Sequence, residues 1–147
     1  MVSAPQEKTG FSQTQKQPME IINSVMSRTI FDENLRERSK GVLAKLLESP
    51  SNKLVHLGNT LFLVMVKEPG VVEIHTMSEE TPQGLARNFV NLSNYLKNIG
   101  VKKWYSYSED TRFKKIAEMT KLPLKIEQST ARYGEKMRPV YRYTMEF

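Results

Sequence analysis

The chain has 147 residues, of which 22 are Lys or Arg and 16 are Asp or Glu, giving a net charge of +6. This length fits one domain, and the absence of cysteine excludes thiol nucleophiles, disulfides and thiolate metal sites, as expected of an intracellular protein or a particle assembled inside a cell. The sequence contains no run of about 18 apolar residues, and its polar N-terminus lacks the apolar core of a signal peptide, so we expect no membrane association.

The first 18 residues predict a flexible N-terminal arm. They are mainly Ser, Thr, Gln, Lys, Gly and Pro, with few large apolar side chains. Such a segment cannot bury enough surface to fold alone. We therefore expect residues 19–147 to form a single domain, and the arm to contact a protein partner or an assembly.

Two amphipathic helices are predicted before the first strand. Apolar residues recur at helical spacing from Met19 to Ile30. Asp32 or Asn34 can cap a second helix, which Pro50 ends. The apolar stripe predicted for this second helix consists of Leu35, Val42, Leu43, Leu46 and Leu47.

Three strands are predicted next. Residues 53–57 can form a short strand, and Gly58 and Asn59 a turn. Residues 61–66 are all apolar, which predicts a central strand covered on both faces. Residues 71–77 alternate, so that one face of this third strand carries Glu73, His75 and Met77.

A long helix follows a loop that contains Pro82. Its apolar positions recur every three or four residues, and Gly100 stops it. These positions are Leu85, Phe89, Leu92, Leu96 and Ile99.

The last third of the chain predicts a strand, a short helix and a hairpin. The strand, residues 101–107, is rich in aromatic side chains. Asp110 or Thr111 can cap the helix, which Pro123 ends. Residues 124–130 and 140–147 then read as a final hairpin.

The order strand, loop, helix, strand, helix over residues 71–124 resembles the cofactor-binding half of the GNAT acyltransferase superfamily. The resemblance implies an α/β fold: a GNAT-like mixed, mostly antiparallel sheet of five to seven strands, flanked by four helices. It also implies a V-shaped splay between residues 71–77 and 101–107, which opens a slot for the pantetheine arm of acetyl-CoA.

The loop before the long helix is similar to the pyrophosphate loop of that family, whose pattern is Arg/Gln-x-x-Gly-x-Gly/Ala. Gly84 and Ala86 match its last two positions, whereas Thr81 stands where the family has Arg or Gln. Small residues at a helix start let backbone amides approach phosphate groups. The resemblance implies that acetyl-CoA is held by Met77, Gln83, Gly84, Leu85, Ala86 and Arg87.

The resemblance also implies catalytic roles on the splayed strand. An amine must lose a proton before it attacks a thioester, and Glu73 or His75 could accept that proton. Alternatively, Glu73 is a half-exposed strand carboxylate and His75 a hydrogen-bonded polar group of the sheet. The two histidines of the chain form no metal-binding pattern, so no metal site is predicted.

The family often protonates the leaving thiolate with a tyrosine of the short helix, and this chain has none there. The substitute would have to come from the neighbouring strands, from Tyr105, Tyr107, Tyr141 or Tyr143. This departure leaves open whether the protein is an enzyme.

Over residues 61–147 the pattern is most similar to small GNAT-like proteins of tailed bacteriophages, both acetyltransferase-like proteins and an internal virion protein. Three functions therefore stay open: an acyl-CoA-dependent N-acyltransferase, a catalytically silent component of a phage virion or other assembly, and a nucleic-acid-binding protein. The corresponding locations are the host cytoplasm or a phage particle.

The positive charge lies in the C-terminal third. Residues 1–96 contain ten basic and ten acidic residues, whereas residues 97–147 contain twelve and six. We expect this region to bind an acidic partner or nucleic acid. The predicted hairpin loop, residues 131–139, carries Arg132, Lys136 and Arg138 around Tyr133 and Gly134. Their charge should disfavour a cationic acceptor such as lysine or a polyamine.

Overall fold

The computed structural model describes residues 16–30, 32–133 and 135–147, with the backbone alone at Tyr133. The predicted arm lies outside the described residues except for its last three, and Pro18 is already the first residue of a helix. The helices are α1 (Pro18–Thr29), α2 (Glu33–Leu47), α3 (Pro82–Asn98) and α4 (Arg112–Thr120). The strands are β1 (Asn52–Leu57), β2 (Thr60–Glu68), β3 (Val71–Ser78), β4 (Lys103–Ser108), β5 (Lys125–Tyr133) and β6 (Lys136–Glu146).

The six strands form one sheet in the order β1-β2-β3-β4-β6-β5. Every neighbouring pair is antiparallel except β3 and β4, which are parallel because α3 carries the chain from one to the other. The mixed, mostly antiparallel sheet with four helices is the architecture predicted from the sequence.

The half of the sheet formed by β1, β2 and β3 is covered on both faces. One face packs against α1 in a cluster that contains Ile21, Leu61 and Leu63, and the other packs against α3 in a cluster that contains Phe62 and Val64. Both faces of β2 are therefore buried, which accounts for its uninterrupted apolar sequence.

Helix α2 buries less than its sequence predicts. Asp32 caps it, since its carboxylate accepts hydrogen bonds from the amides of Asn34 and Leu35. The predicted stripe is only partly correct, because Leu35 is 48% and Val42 60% exposed. The helix lies against edge strand β1, so only the C-terminal part of the stripe reaches the core. The residues that do so are Leu43, Leu46 and Leu47.

The half of the sheet formed by β4, β5 and β6 has helices on one face. There α3 and α4 pack over Trp104 and Tyr143, which are 2% and 0% exposed. Tyr105 and Tyr107 point to the opposite face, where their rings pack against each other. Because α1 and α2 lie over the other half, no described helix covers these two rings.

The predicted C-terminal loop is wrong in its length. Residues 131–133 continue β5 and residues 136–139 begin β6, so that Ala131 pairs with Arg138 and Tyr133 with Lys136. Cross-strand pairing extends the hairpin almost to its tip despite the polar sequence. Arg132, Lys136 and Arg138 therefore lie on strands.

No helix among the described residues has the length and apolar character needed to cross a membrane.

Candidate functional site

The site begins where β3 and β4 separate. The parallel ladder joins Val71 to Lys103, Val72 to Trp104 and Glu73 to Tyr105, and then ends. One side chain spans the fork beyond this point: the buried Ser106 hydroxyl donates a 2.9 Å hydrogen bond to the carbonyl oxygen of Ile74. The strands thus diverge as the predicted V requires.

The gap between the diverging strands is a slot of about 540 Å³. Val25 of α1 and His75 of β3 line it on one side of the sheet, whereas Leu85 and Phe113 line it on the side of α3 and α4. The slot therefore has lining residues on both faces of the sheet. Its other lining residues are Thr76, Ser78, Glu80, Pro82, Ser106, Tyr107, Ser108, Asp110, Arg112 and Ile116.

The structure joins the two predicted proton acceptors, Glu73 and His75, into one pair. Their positions two apart on β3 put both side chains on the face of α1, and His75 Nε2 lies 2.8 Å from Glu73 Oε2. Glu73 is 15% exposed and lies 3.8 Å from Lys67 Nζ, whereas His75 is 56% exposed and lines the slot. When Nε2–H donates to the carboxylate, Nδ1 carries the lone pair of a base.

Of the four predicted substitute tyrosines, only Tyr107 lines the slot. Tyr105 beside it lies under the Arg142 guanidinium, 4.5 Å from the ring centroid. Burial, reinforced by the charge of Glu73, raises the pKa of Tyr105. Tyr143 lies in the core, where burial raises its pKa, and its hydroxyl has no hydrogen-bond partner among the residues that the structure describes. Tyr107 is thus the phenol positioned to meet a group in the slot.

The first turn of α3 has few amides to offer a ligand. Thr81 is the N-cap, and its hydroxyl accepts a 3.1 Å hydrogen bond from the amide of Gly84. The Leu85 amide donates to the carbonyl oxygen of Thr81 at 2.9 Å, and Pro82 has no amide hydrogen. The residue that replaces the family's Arg or Gln therefore caps the helix.

A carboxylate that sequence reasoning missed also stands at this helix start. Glu80 Oε1 accepts a 2.6 Å hydrogen bond from the Asn59 amide, and the side chain lines the slot. A methyl group built on Gly84 would overlap with Glu80 Oε2, so the carboxylate lies directly against the backbone of the first turn. The available signal was the acidic pair Glu79-Glu80 immediately before the helix.

The residues predicted to hold acetyl-CoA are spread over four environments. Leu85 lines the slot, while Gly84 and Ala86 are buried in the first turn of α3. Gln83 and Arg87 are exposed to solvent. Met77 packs against the α1 cluster and does not line the slot, although its neighbours Thr76 and Ser78 do.

The slot fits one part of acetyl-CoA and not another. A neutral pantetheine arm matches a channel whose walls combine apolar groups with serine and threonine hydroxyls. A diphosphate is opposed at the start of α3, where the amides of Gly84 and Leu85 are already bonded and Glu80 adds a negative charge. Arg112, the one Lys or Arg among the described residues that lines the slot, is paired with Asp110 at 2.8 Å.

The Asp110–Arg112 pair stands at the opposite rim. Hydrogen bonds from the Arg112 side chain and amide lower the pKa of Asp110, and the charge of this carboxylate is offset by the Arg112 guanidinium. No group of three or more metal-ligating side chains is found within residues 16–30, 32–133 and 135–147.

Comparison with known proteins identifies the fold. No protein-family model matches the sequence, and no curated protein matches it. An acetyltransferase from Bacillus subtilis in complex with CoA matches with a TM-score of 0.58 and 11% identity, over 91% of this chain and 95% of that one. A GNAT-family acetyltransferase from Streptococcus pneumoniae matches with a TM-score of 0.50 and 11% identity, over 90% and 96%.

A variant of a spermidine N-acetyltransferase from Vibrio cholerae also matches, with a TM-score of 0.55 and 12% identity, over 76% of this chain and 75% of that one. Identities this low show the fold alone. The chain has the mixed α/β GNAT fold, as the order of its predicted elements implied.

Proposed function

We propose that this GNAT-fold protein is an N-acyltransferase that takes an acyl thioester in the slot between β3 and β4 and an amine from the face of α1. One observation carries the proposal: the slot has lining residues on both faces of the sheet, and on the α1 side they include His75, which is bonded to Glu73. A donor and an acceptor can therefore enter from opposite faces and meet at the fork.

The thioester supplies an activated acyl group, and the residues of the chain bind, orient and move protons. The amine nitrogen forms a bond to the acyl carbon as the carbon–sulfur bond breaks, giving an amide and a thiol. His75 Nδ1 accepts the proton that the amine loses, while Glu73 fixes the tautomer of the ring. Tyr107 donates a proton to the departing sulfur and regains one from solvent, while His75 releases to solvent the proton that it took from the amine.

Acetyl transfer to a panel of amines, detected by mass spectrometry, tests the proposal. Acetyl-CoA and S-acetylpantetheine should be offered as separate donors, because they share the thioester and differ in the diphosphate. We expect amide product from at least one donor, and a thermal shift with the corresponding unreactive thioether. Absence of both product and shift with either donor would overturn the proposal.

A second function, a catalytically silent component of an assembly, is favoured by the chemistry at the start of α3. An anionic cofactor meets engaged amides and the Glu80 carboxylate there. In this alternative the N-terminal arm carries the partner contacts. Deleting residues 1–15 should then abolish assembly while preserving the melting temperature, and unchanged assembly would contradict it. The phage particle and nucleic-acid binding remain predictions.

A further inference from the structure

We infer that Glu80 is a specificity-determining residue that disfavours acyl carriers with a diphosphate at the start of α3, so that the slot selects a carrier without charge at this position. The inference rests on the proposed function, because it takes the slot as the thioester site. It is based on the position of the Glu80 carboxylate beside Gly58 and Gly84.

The protein leaves room for this carboxylate on two sides. A methyl group built on Gly58 would approach Glu80 Oε1 to 3.0 Å, and one built on Gly84 would overlap with Oε2. The carboxylate thus lies between the β1–β2 turn and the first turn of α3. The Asn59 amide fixes it from the turn at 2.6 Å, and the Ser78 hydroxyl accepts a 3.0 Å hydrogen bond from the Glu80 amide.

This position makes Glu80 an internal competitor of an anionic ligand. The N-terminus of a helix attracts negative charge through its dipole, and Glu80 already supplies that charge. A diphosphate approaching Gly84 would meet a like charge at close range and would have to displace the carboxylate from the Asn59 amide. A neutral arm between β3 and β4 meets neither cost.

The adjacent carboxylate, Glu79, provides a matched control. It is 12% exposed and lies 3.2 Å from the Arg28 guanidinium, so its charge is offset by a cation. Glu79→Gln and Glu80→Gln change the net charge equally at neighbouring positions. Only the second removes charge from the start of α3.

The experiment measures dissociation constants of CoA, pantetheine and inorganic pyrophosphate for the full chain and the two variants, by calorimetry and by amide chemical shifts of Gln83 and Gly84. Glu80→Gln should increase the affinity for CoA and pyrophosphate about tenfold, as expected for removal of a like charge next to the ligand. Glu79→Gln should change them less than about threefold, since Glu79 does not line the slot and pairs with Arg28 of α1, so that the charge it removes is screened from the start of α3. Pantetheine affinity should be the same in all three proteins.

The outcomes separate this inference from the proposed function. If Glu80→Gln gains no more affinity for pyrophosphate than Glu79→Gln, the role of Glu80 is overturned even where pantetheine binds. If no protein binds pantetheine but Glu80→Gln still gains pyrophosphate affinity, the thioester slot fails while the electrostatic role of Glu80 stands. Equal gains with pantetheine and CoA would show that Glu80 restricts the slot as a whole, and would also overturn the diphosphate selectivity.

Discussion

The two ends of the β3–β4 pair place serine and aromatic side chains in different surroundings. At the paired end, Trp104 is buried against Phe89, and its indole nitrogen donates to the Ser93 hydroxyl at 3.1 Å. At the open end, the Ser106 hydroxyl donates a cross-strand hydrogen bond to Ile74, and beyond it polar and apolar side chains line the slot. At the paired end, polar side chains are part of the buried core. At the open end, polar side chains line the slot.

This difference indicates a division between stability and chemistry within a few residues of one strand. Closed pairing satisfies backbone groups and buries apolar surface, which stabilises the fold. Where pairing stops, that stabilisation is lost, and the gap between the strands becomes a cavity whose side chains a ligand can reach. Substitutions at the two ends should therefore affect different measurements.

The largest effect is expected at the paired end. Trp104→Ala should lower the free energy of unfolding by about 3–5 kcal/mol, because it opens a cavity and leaves the Ser93 hydroxyl without its partner. Urea denaturation followed by circular dichroism measures the change. A loss below about 1 kcal/mol would show that packing at the paired end contributes little to stability. The control variant Trp104→Phe should keep most of the stability.

At the open end the effect should fall on catalysis. His75→Gln should lower kcat for acyl transfer by about 100-fold, the lower range for loss of a general base, and change stability by less than about 0.5 kcal/mol because the side chain is exposed. If Glu73 acts through His75, the double variant with Glu73→Gln should lose little more than His75→Gln alone. Additive losses would show that the two side chains act separately.

Ser106 lies at the fork and should affect both measurements. Ser106→Ala should cost about 1–2 kcal/mol of stability, since the Ile74 carbonyl oxygen loses its buried donor. Ser93→Ala, which breaks the bond to Trp104, is the matched control and should cost a similar amount. Only Ser106→Ala should alter pantetheine affinity, measured by calorimetry. Equal binding by both variants would show that the fork does not shape the slot.

The smallest effect on stability is expected in the basic hairpin, whose residues Arg132, Lys136 and Arg138 do not line the slot. Replacing Arg132, Lys136 and Arg138 together by Gln should leave the melting temperature and the pantetheine affinity nearly unchanged. It should weaken low-salt binding to poly-L-glutamate or to a short DNA duplex, because three cations are lost. If the triple variant bound both probes as tightly as the original protein, the positive charge of this hairpin would have no role in binding an acidic partner.

Some site predictions depended only on the spacing of neighbouring residues, whereas others depended on contacts between residues that are far apart in the sequence. The spacing of Glu73 and His75 placed both on one face of β3, and the structure pairs them. The pyrophosphate loop was predicted from Gly84 and Ala86, but the neighbours of a helix start cannot be read from two small residues. Thr81 uses its hydroxyl for the cap, and Glu80 reaches Asn59, 21 residues earlier.

The sequence by itself determined the order and type of the elements, because hydrophobic period, capping residues and turn glycines act over a few neighbouring positions. It also predicted the splay through its resemblance to a known fold. Only the tertiary structure decided which half of the sheet is covered twice, that Tyr107 faces the slot, and that a carboxylate stands at the start of α3. These depend on distances between residues far apart in the chain, which packing fixes and local pattern does not.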